Sequence, residues 1–386
     1  MAESEHASIS TVDQVSLRYP PAVGGIETYV ETATELLRDR GVNVIVHTTD
    51  HGMSAFPGAE RDDISRYAVY TGNRYPIAPG QLRRILETRA DVVHSHGQYL
   101  PSTDLSSLLR RIGALRSALV VSPHFHPPNT YYGRLHLRTL GRLTAAADMV
   151  VAVSGFELDS MHAAGLHPQR ARIVQPSVKR VCNPPSEAGL NELKSVLDVK
   201  SDALIVSTLG RVVAHKRVDL IVRSLPAILS REPDVIVVVA GPIDGAMYSY
   251  LSNLGRYLGV SSHLRVIGTI GADAKRALLE VSSLVVSASE YEAFGIALLE
   301  ALATGTPVIG ARAAAIPELL GNRDDFLFPV GDANALAERV VAVLSPPDAT
   351  AARCWALERA LGFSPQTQFE QLMHAYEDAL HYRRDK

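Results

Sequence analysis

The chain has 386 residues, of which 46% are hydrophobic and 20% charged, and its formal net charge is −3 at pH 7. This composition suffices for two domains with separate cores, and it excludes a disordered chain or a generally nucleic-acid-binding one. Cys182 and Cys354 are too few and too far apart for a disulfide framework. The polar N-terminus and the strand-sized apolar runs predict neither a secretory signal nor a membrane span, so we expect a cytoplasmic protein.

Short apolar runs alternate with amphipathic stretches, a pattern that predicts parallel βαβ units. The strands predicted in the first half are 9–15, 42–48, 91–95, 118–123, 149–153 and 173–175. Those predicted in the second half are 203–209, 235–240, 264–269, 284–287 and 307–310. A proline-rich break at 175–190 reads as a linker, and a last helix is predicted over 363–382, starting at Ser364-Pro365.

These elements predict an α/β fold of two doubly wound, Rossmann-like domains facing across a cleft. Such sheets bind ligands at the carboxyl ends of their strands, where helix N-termini gather. A two-domain dehydrogenase would carry G-x-G-x-x-G after an early strand. None follows the first strand here, and Gly24-Gly25 is a weak substitute.

The strongest site pattern follows the predicted strand 284–287, and a glutamate stands at each end of it. Glu292 falls in a loop and Glu300 inside the next helix, which Phe294-Gly295-Ile296 opens. Free backbone N–H groups at such a helix start bind anions, and glycine lets a diphosphate approach closely. Eight residues place the two glutamates roughly 80° apart on a helix, so they can reach different parts of one ligand. Carboxylates accept hydrogen bonds from vicinal hydroxyls, as on a sugar or a ribose.

Two cations follow the first strand of the second half. Arg211 comes directly after the strand end, where a ligand-binding residue is expected. Lys216 is predicted to begin the next helix, a position that is unfavourable for a cation unless an anion lies there. Fixed cations and amides at this place can stabilise the charge that develops on a departing diphosphate.

Four histidines lie near predicted strand ends of the first half. His124 follows one strand, and His126 faces the same way if the chain stays extended. His94 and His96 resemble a metal pair, but no Asp or Cys set completes one, so they are interpreted as structural or acceptor-side. We therefore expect no metal.

A basic stretch extends from residue 64 to residue 145, with eleven arginines, no lysine and only three acidic residues. Within it, Arg134, Arg138 and Arg142 recur every four residues and predict one helical stripe, with leucines 135, 140 and 143 on the other side. The stripe is either a solvated face or a surface that holds an anionic acceptor or the inner face of the cell membrane. Nucleic acid is not favoured, because no aromatic side chains are interleaved.

The glutamate segment resembles the E-x7-E signature of glycosyltransferase family 4, which comprises retaining enzymes of the GT-B fold. Further motifs match in order, and the resemblance covers nearly the whole chain. They are Pro20 to Glu27, Asp91 to Gly97, Gly210-Arg211 with Lys216, Ile316-Pro317-Glu318, and Phe328 to Asp332. Two positions depart from the family: Gln175-Pro176-Ser177-Val178 replaces Pro-Asn-Gly-Val, and Ala314-Ala315 stands where Gly-Gly is frequent.

The resemblance implies a role for each matching residue. Glu292 would hold sugar hydroxyls, Glu300 the ribose, Arg211 and Lys216 the diphosphate, and His124 would lie beside the transferred sugar. The donor-binding set would be Gly25, Gly210, Arg211, Lys216, Thr269, Ile270, Glu292, Phe294, Gly295, Ile296 and Glu300. The catalytic set would be His124, Glu292, Arg211 and Lys216, and the acceptor side would include His96, His126, Arg134 and Arg138.

The resemblance also implies a function. A hexose-type sugar would pass from a UDP- or GDP-sugar to a hydroxyl of an acceptor, with retention and without metal or cofactor. Anionic and lipid-linked acceptors are the candidates. Residues 1–180 would bind the acceptor, 181–362 the nucleotide sugar, and helix 363–386 would return to the first domain. A sugar-nucleotide epimerase, a phosphorylase and a catalytically silent binding partner remain as alternatives.

Overall fold

A computed structural model describes the chain at residues 9–51, 63–70, 75–128, 130–178, 185–197, 203–345 and 348–384. Arg74 of the basic stretch, Cys182 and most of the predicted linker lie outside these residues. The chain divides into two compact units: Met1–Ser177 with Pro365–Lys386, and Val178–Ser364.

Among the described residues, seven strands and five α-helices form the first part of the chain. The strands are β1 Thr11–Val15, β2 Asn43–Thr49, β3 Ile64–Tyr67, β4 Val92–His96, β5 Ala118–Ser122, β6 Met149–Ala152 and β7 Ala171–Ile173. The helices are α1 Gly25–Arg38, α2 Pro79–Glu87, α3 Pro101–Arg111, α4 Tyr131–Arg138 and α5 Gly155–Ala163.

Six strands and eight α-helices form the described part of the second unit, after which the chain re-enters the first unit as one long helix. The strands are β8 Leu204–Leu209, β9 Val235–Ala240, β10 Leu264–Gly268, β11 Leu284–Ser287, β12 Val308–Ala311 and β13 Leu327–Phe328. The helices are α6 Glu187–Leu197, α7 Val218–Leu229, α8 Gly245–Tyr257, α9 Ala272–Val281, α10 Ile296–Ala303, α11 Ile316–Leu319, α12 Ala333–Leu344 and α13 Asp348–Leu361. The long helix is α14 Pro365–Arg384.

The sheet of the first unit is parallel, in the order β3-β2-β1-β4-β5-β6-β7. Its strands are apolar on both faces, because alternate residues point to opposite sides and helices cover both. One face packs on α1 and α14 through Val12, Val92, Val120, Leu37, Leu372 and Tyr376. The other packs on α2, α3 and α5 through Val93, Val121, Ile85, Leu109 and Met161.

The sheet of the second unit is also parallel, in the order β10-β9-β8-β11-β12-β13. In both units the first three strands run outward in reverse order and the later strands extend the other side. This is the doubly wound arrangement that puts the ends of β1 and β4, and of β8 and β11, at the switch of strand order. The predicted α/β class with Rossmann-like sheets is confirmed.

All eleven predicted strands agree with the structure to within about two residues, but β3 and β13 are additional. β3, Ile64-Ser-Arg-Tyr67, has no apolar run, and β13 has only two residues, so neither carries the pattern of a buried strand. The predicted linker extends too far, because α6 already begins at Glu187. Its Gly189 is a packing glycine: a Cβ there would lie 2.7 Å from the backbone of Asp273 in α9.

Candidate active site

The backbone segments that follow β8, β9 and β10 come close together in the second unit. Gly210 follows β8 with a φ of +123°, and Gly241 follows β9 with a φ of +138°. A Cβ on Gly241 would lie 2.1 Å from the carbonyl oxygen of Gly210, so this approach requires glycine. Thr269 and Ile270 follow β10 at the same edge of the sheet. The structure thus brings Gly210, Thr269 and Ile270 to one edge, the one where doubly wound sheets bind ligands.

The two cations after β8 differ in their surroundings. Arg211 is exposed, whereas Lys216 is half-buried at the end of a single helical turn. α7 begins only at Val218, so the predicted helix start at Lys216 is wrong. The break lies at Arg217, whose φ of +48° is left-handed. Lys216 is therefore not a residue of α7, and its position has another cause.

That cause is Glu292, whose carboxylate accepts a hydrogen bond from the Lys216 Nζ. The two side chains are only 25% and 17% exposed, and partly buried charges require partners. The family resemblance assigns the two residues to different groups of one ligand. The fold brings them together although they are 76 residues apart in the chain.

The helix that follows Glu292 has no side-chain cap. Its N-cap is Gly295, with a left-handed φ of +100°, and α10 begins at Ile296. The first-turn N–H groups of a helix have no intrahelical partners, so this start can bind an anion through the backbone. Phe294 is 3% exposed and its ring stacks edge-on against Phe363, 5.5 Å away between centroids. Its side chain therefore anchors the segment, and only its backbone is left for a donor-binding role.

Glu300 is paired with a lysine that the sequence analysis missed. Its Oε1 lies 2.7 Å from the Nζ of Lys275 on α9, and both side chains are partly buried. The chain has only six lysines, of which Lys216 and Lys275 are two. The scarcity of lysine was the one sequence signal that could have marked Lys275 as a candidate site residue. Sequence spacing alone does not show that α9 packs beside α10, and so it could not pair Lys275 with Glu300.

Ala314 supports the Glu292 loop through a left-handed turn. Its φ is +51°, a conformation that glycine adopts without strain and alanine does not. The next N–H, from Ala315, donates to the Glu292 carbonyl at 3.1 Å. Ala314-Ala315, which stands where the family frequently has Gly-Gly, thus places the Ala314 methyl group and a hydrogen-bonded turn beside Glu292.

In the first unit, three histidines form a hydrogen-bonded chain at the ends of β4 and β5. His94 Nδ1 lies 2.8 Å from the Tyr376 hydroxyl, and its Nε2 lies 2.8 Å from Ser122 Oγ. His96 Nδ1 lies 3.3 Å from His124 Nε2, and the two rings stack. Tyr376 belongs to α14, so this network closes only because the last helix packs on the first sheet.

The amide of Gln14 sets the direction of this chain. Its Nε2 donates to the Tyr376 hydroxyl at 3.3 Å, and its Oε1 accepts from His96 Nε2 at 2.6 Å. A neutral imidazole has one donor and one acceptor, so His96 Nδ1 accepts and His124 Nε2 donates. His124 is thereby left with an unprotonated Nδ1.

Burial keeps the three rings neutral. It lowers the pKa of His124 to about 4, and together with the neighbouring His124 it lowers that of His94 to about 3. The pKa of His96 is lowered well below its usual value, first by burial and then by the two neighbouring histidines. His124 is therefore a neutral hydrogen-bonding group near pH 7 and a poor general acid. Among the residues described, no group of three His, Cys, Asp or Glu side chains could hold a metal ion.

The loop after β5 is held in place by a buried carboxylate. His124 has a left-handed φ of +46°, and the N–H of Phe125 donates to Glu157 Oε1 at 2.5 Å. Burial raises the pKa of Glu157 to about 7, although backbone N–H groups, including that of Val153, oppose the shift. His126 is exposed and stays outside the histidine chain; its carbonyl accepts from Tyr99 at 3.4 Å. Sequence reasoning missed Glu157, because nothing local marks it.

Gly25 is the first residue of α1, which also lacks a side-chain cap. The preceding Gly24 is extended, and a Cβ on it would lie 2.3 Å from the Glu27 carboxylate. That buried carboxylate pairs with Arg18 at 2.8 Å. The glycine-rich opening therefore provides a close backbone approach at the start of α1, while the membership of Gly25 in the donor-binding set stays a prediction.

The predicted arginine stripe is interrupted. α4 ends at Arg138, Thr139 leaves helical geometry, and residues 140–146 form a tighter 3-10 helix, so Arg142 does not continue the stripe of Arg134 and Arg138. The leucines predicted on the other side are not all buried, since Leu135 and Leu140 are 48% and 43% exposed. Arg134 and Arg138 remain exposed, beside these leucines in sequence. Within the described ranges, no helix is both long enough and apolar enough to cross a bilayer.

Two protein-family models match the chain. "Glycosyltransferase Family 4" matches residues 23–180, and "Glycosyl transferases group 1" matches residues 191–354. A D-inositol 3-phosphate glycosyltransferase of Actinosynnema mirum is 29% identical over 92% of each chain. A GDP-mannose-dependent phosphatidylinositol monomannoside mannosyltransferase of Mycolicibacterium smegmatis is 28% identical over 88% of this chain and 92% of its own.

Solved structures agree in fold. A glycosyltransferase from Rickettsia africae superposes with a TM-score of 0.74 at 18% identity, over 96% of this chain and 98% of that one. The Anabaena protein HepE in complex with UDP-glucose gives a TM-score of 0.75 at 18% identity, over 94% and 98%. At this identity the likeness establishes the architecture alone.

Proposed function

Since the chain belongs to the family 4 glycosyltransferases of the GT-B fold and transfers a sugar from a nucleotide sugar, we propose that it is a retaining, metal-independent hexosyltransferase. The acceptor group is a hydroxyl. The observation that carries the proposal is the pair of lysine–glutamate contacts, Lys216 with Glu292 and Lys275 with Glu300, beside the uncapped start of α10.

The donor diphosphate binds where positive charge and backbone N–H groups coincide. Arg211, Lys216 and the N–H groups of Gly295 and Ile296 supply that environment, and no metal ion is needed to stabilise the departing charge. Because Lys216 is paired with Glu292, a donor competes for both: the phosphate takes the ammonium, and the sugar hydroxyls take the carboxylate. A nucleotide sugar carries a diphosphate next to the sugar hydroxyls. Its binding thus replaces the Lys216–Glu292 ion pair by two sets of charge-assisted hydrogen bonds.

The other end of the donor binds farther along the same edge. Glu300 accepts the ribose hydroxyls, and Lys275 holds its carboxylate in place. The base lies against the backbone at Thr269 and Ile270. Relatives and neighbours support two nucleotides: the mycolicibacterial relative is named for GDP-mannose, and HepE holds UDP-glucose.

The reaction is a front-face displacement. The acceptor oxygen bonds to the anomeric carbon as the bond from that carbon to the diphosphate oxygen breaks, and the departing phosphate oxygen takes the acceptor proton. A double displacement would require a carboxylate nucleophile at the anomeric carbon, and both glutamates here have lysine partners and binding roles. His124 positions the sugar as a neutral hydrogen-bonding group, with its Nδ1 lone pair available as an acceptor.

The acceptor binds to the first unit and carries an anionic group. The two curated relatives are named for inositol 3-phosphate and for a phosphatidylinositol mannoside, both of which contain phosphate. Arg134 and Arg138 are exposed on α4 and can hold such a group, and the exposed Leu135 suits a lipid-linked one. His96 is fully buried, so it acts through His124 and not on the acceptor directly.

A donor screen followed by a turnover assay tests this function. UDP, GDP, ADP and dTDP are compared by thermal shift, since a ligand of the folded state raises its unfolding midpoint. The matching sugar nucleotide should then be turned over in excess EDTA, with the donor's anomeric configuration kept in the product. Loss of turnover in EDTA that manganese or magnesium restores would overturn metal independence, and binding without any turnover would indicate a silent partner.

A further inference from the structure

The first unit has a cavity at the edge of its sheet opposite to the histidine chain. The carboxyl end of β4 is His96, whereas the cavity lies where β4 and β5 begin. Its volume is about 340 Å³, and α14 closes one side. The lining residues are Arg89, Ala90, Asp91, Arg116, Leu380 and Arg383. This cavity is separate from every residue to which the proposed transfer reaction assigns a role.

Its charge is unbalanced. Three of the six lining residues are arginines, and the single acid, Asp91, is already engaged. Asp91 Oδ2 accepts from the N–H and hydroxyl groups of both Ser10 and Thr11, each at 2.9 Å. Its carboxylate is therefore committed to fastening the start of β1.

The three arginines form no salt bridge in the part of the chain that the structure describes, and the one acidic group that acts on Arg383 electrostatically, Asp148, is already paired with Arg110. In that pair, Arg110 binds both oxygens of Asp148, at 2.5 to 2.8 Å. Two arginines of the cavity, Arg89 and Arg116, come from the basic stretch 64–145, and the transfer reaction assigns no role to either of them. The fold therefore brings Arg89 and Arg116 of this stretch together with Arg383 at one cavity, although the three residues belong to separate segments of the chain.

Arg383 carries the clearest sign of a missing partner. Its Nη1 is buried, and within the described residues it has no hydrogen-bond acceptor. Burial, and next the nearby Arg110, lower the pKa of its guanidinium. Buried charged donors without acceptors are rare in folded proteins and commonly mark a bound ion or water. An anion in the cavity would accept a hydrogen bond from this group.

We propose that this cavity binds the phosphate group of a small phosphorylated molecule, at a site separate from the donor site. Guanidinium groups match phosphate oxygens through paired hydrogen bonds, and three of them around one cavity suit a tetrahedral dianion. Leu380 offers an apolar wall for a short carbon skeleton. The phosphate can belong to a free metabolite or to a lipid headgroup, and the experiment below separates these two sources.

Calorimetric titration with inorganic phosphate tests the site at constant ionic strength. All proteins carry Arg211→Ala, which weakens phosphate binding at the donor site equally in each of them, so that differences between variants report on the cavity. Arg89→Gln and Arg116→Gln should each weaken phosphate binding about tenfold or more, because each removes one guanidinium from the cavity. Both residues are exposed, so neither change threatens the fold. The matched control is Arg83→Gln, which removes the same charge from α2 at a side chain 77% exposed, and it should leave binding unchanged.

Two further ligands identify the source. Glycerol 3-phosphate represents a free phosphorylated metabolite, and vesicles of phosphatidylglycerol, compared with phosphatidylcholine, represent a lipid headgroup. Selective binding of glycerol 3-phosphate or of phosphatidylglycerol vesicles supports the site if it is lost in Arg116→Gln and kept in Arg83→Gln. The ligand that binds then shows whether the phosphate belongs to a free metabolite or to a lipid headgroup. Equal losses in Arg116→Gln and Arg83→Gln would reduce the effect to overall charge, and no phosphate binding in the parent would overturn the proposal. Neither outcome bears on sugar transfer, which is assayed separately in the protein with Arg211.

Discussion

Lys216→Ala is expected to weaken binding of a nucleoside diphosphate by roughly ten- to a hundredfold, the range for one charge-assisted hydrogen bond of about 1.5–3 kcal/mol. The variant loses a phosphate ligand and also leaves Glu292 without its cation, in a position only 17% exposed. An uncompensated carboxylate beside a diphosphate repels it, so the effect should lie toward the upper end. Arg211→Ala should act in the same direction and less strongly, because Arg211 is exposed.

Calorimetric titration with nucleoside diphosphate and with the free nucleoside measures this effect. The nucleoside carries no phosphate, so its affinity should be nearly unchanged in both variants. Lys194→Ala is the matched control, since Lys194 is an exposed lysine on α6 of the same unit. If nucleoside and diphosphate lose affinity equally, Lys216 and Arg211 do not bind the phosphates.

Substitution of Glu292 and of Glu300 is expected to affect different ligands. Glu300→Gln should weaken bare nucleotide and full donor alike, by roughly 1.5–3 kcal/mol, because the ribose belongs to both. Glu292→Gln should reduce donor turnover roughly ten- to a hundredfold without weakening the bare nucleotide. The ion pair with Lys216 also predicts the direction of any change in nucleotide affinity. Glu292→Gln releases Lys216 for the phosphates, so nucleotide affinity should stay unchanged or become slightly tighter.

Titrations of both variants with nucleoside diphosphate, alongside steady-state rates with the donor, distinguish the two roles. Glu338→Gln, at an exposed position on α12, controls for loss of one negative charge in the same unit. A double-mutant cycle of Glu292→Gln with Lys216→Ala should give strongly non-additive effects on nucleotide binding, because the two side chains contact each other. Equal loss of nucleotide affinity in both glutamate variants would contradict the split, and no loss in either would make both glutamates ordinary surface residues.

The strands of the fold were predictable because buried parallel strands carry continuous apolar runs. Val235–Ala240, Val-Ile-Val-Val-Val-Ala, is such a run, and the structure has it with the same bounds. β3 was not predictable, since its four residues are all half-buried and two are polar. Gly189 was misread for a different reason: a glycine that permits close helix packing looks, in sequence, like a glycine that ends a helix.

The site residues were predictable where they are close together in sequence. Glu292, Gly295 and Glu300 form one local pattern on a strand-loop-helix segment, so spacing alone indicated their geometry. Lys275, Gln14 and Tyr376 could not be found in this way, because their contacts depend on packing between distant elements. Tyr376 meets His94 across 282 residues of chain, through the packing of α14 on the first sheet.

Hydrogen–deuterium exchange of the whole protein, with and without its sugar nucleotide, tests most directly that the edge after β8, β10 and β11 holds the donor. The donor that raises the unfolding midpoint most is the one to use. We expect slower exchange in the peptide covering 209–217, which contains Arg211 and Lys216, and in the peptide covering 290–300, where Gly295 and Ile296 present their N–H groups. We expect little change at the cavity lined by Arg89 and Arg116. Saturation by the sugar nucleotide without protection of either peptide, or with protection only in the first unit, would contradict the assignment of the donor site.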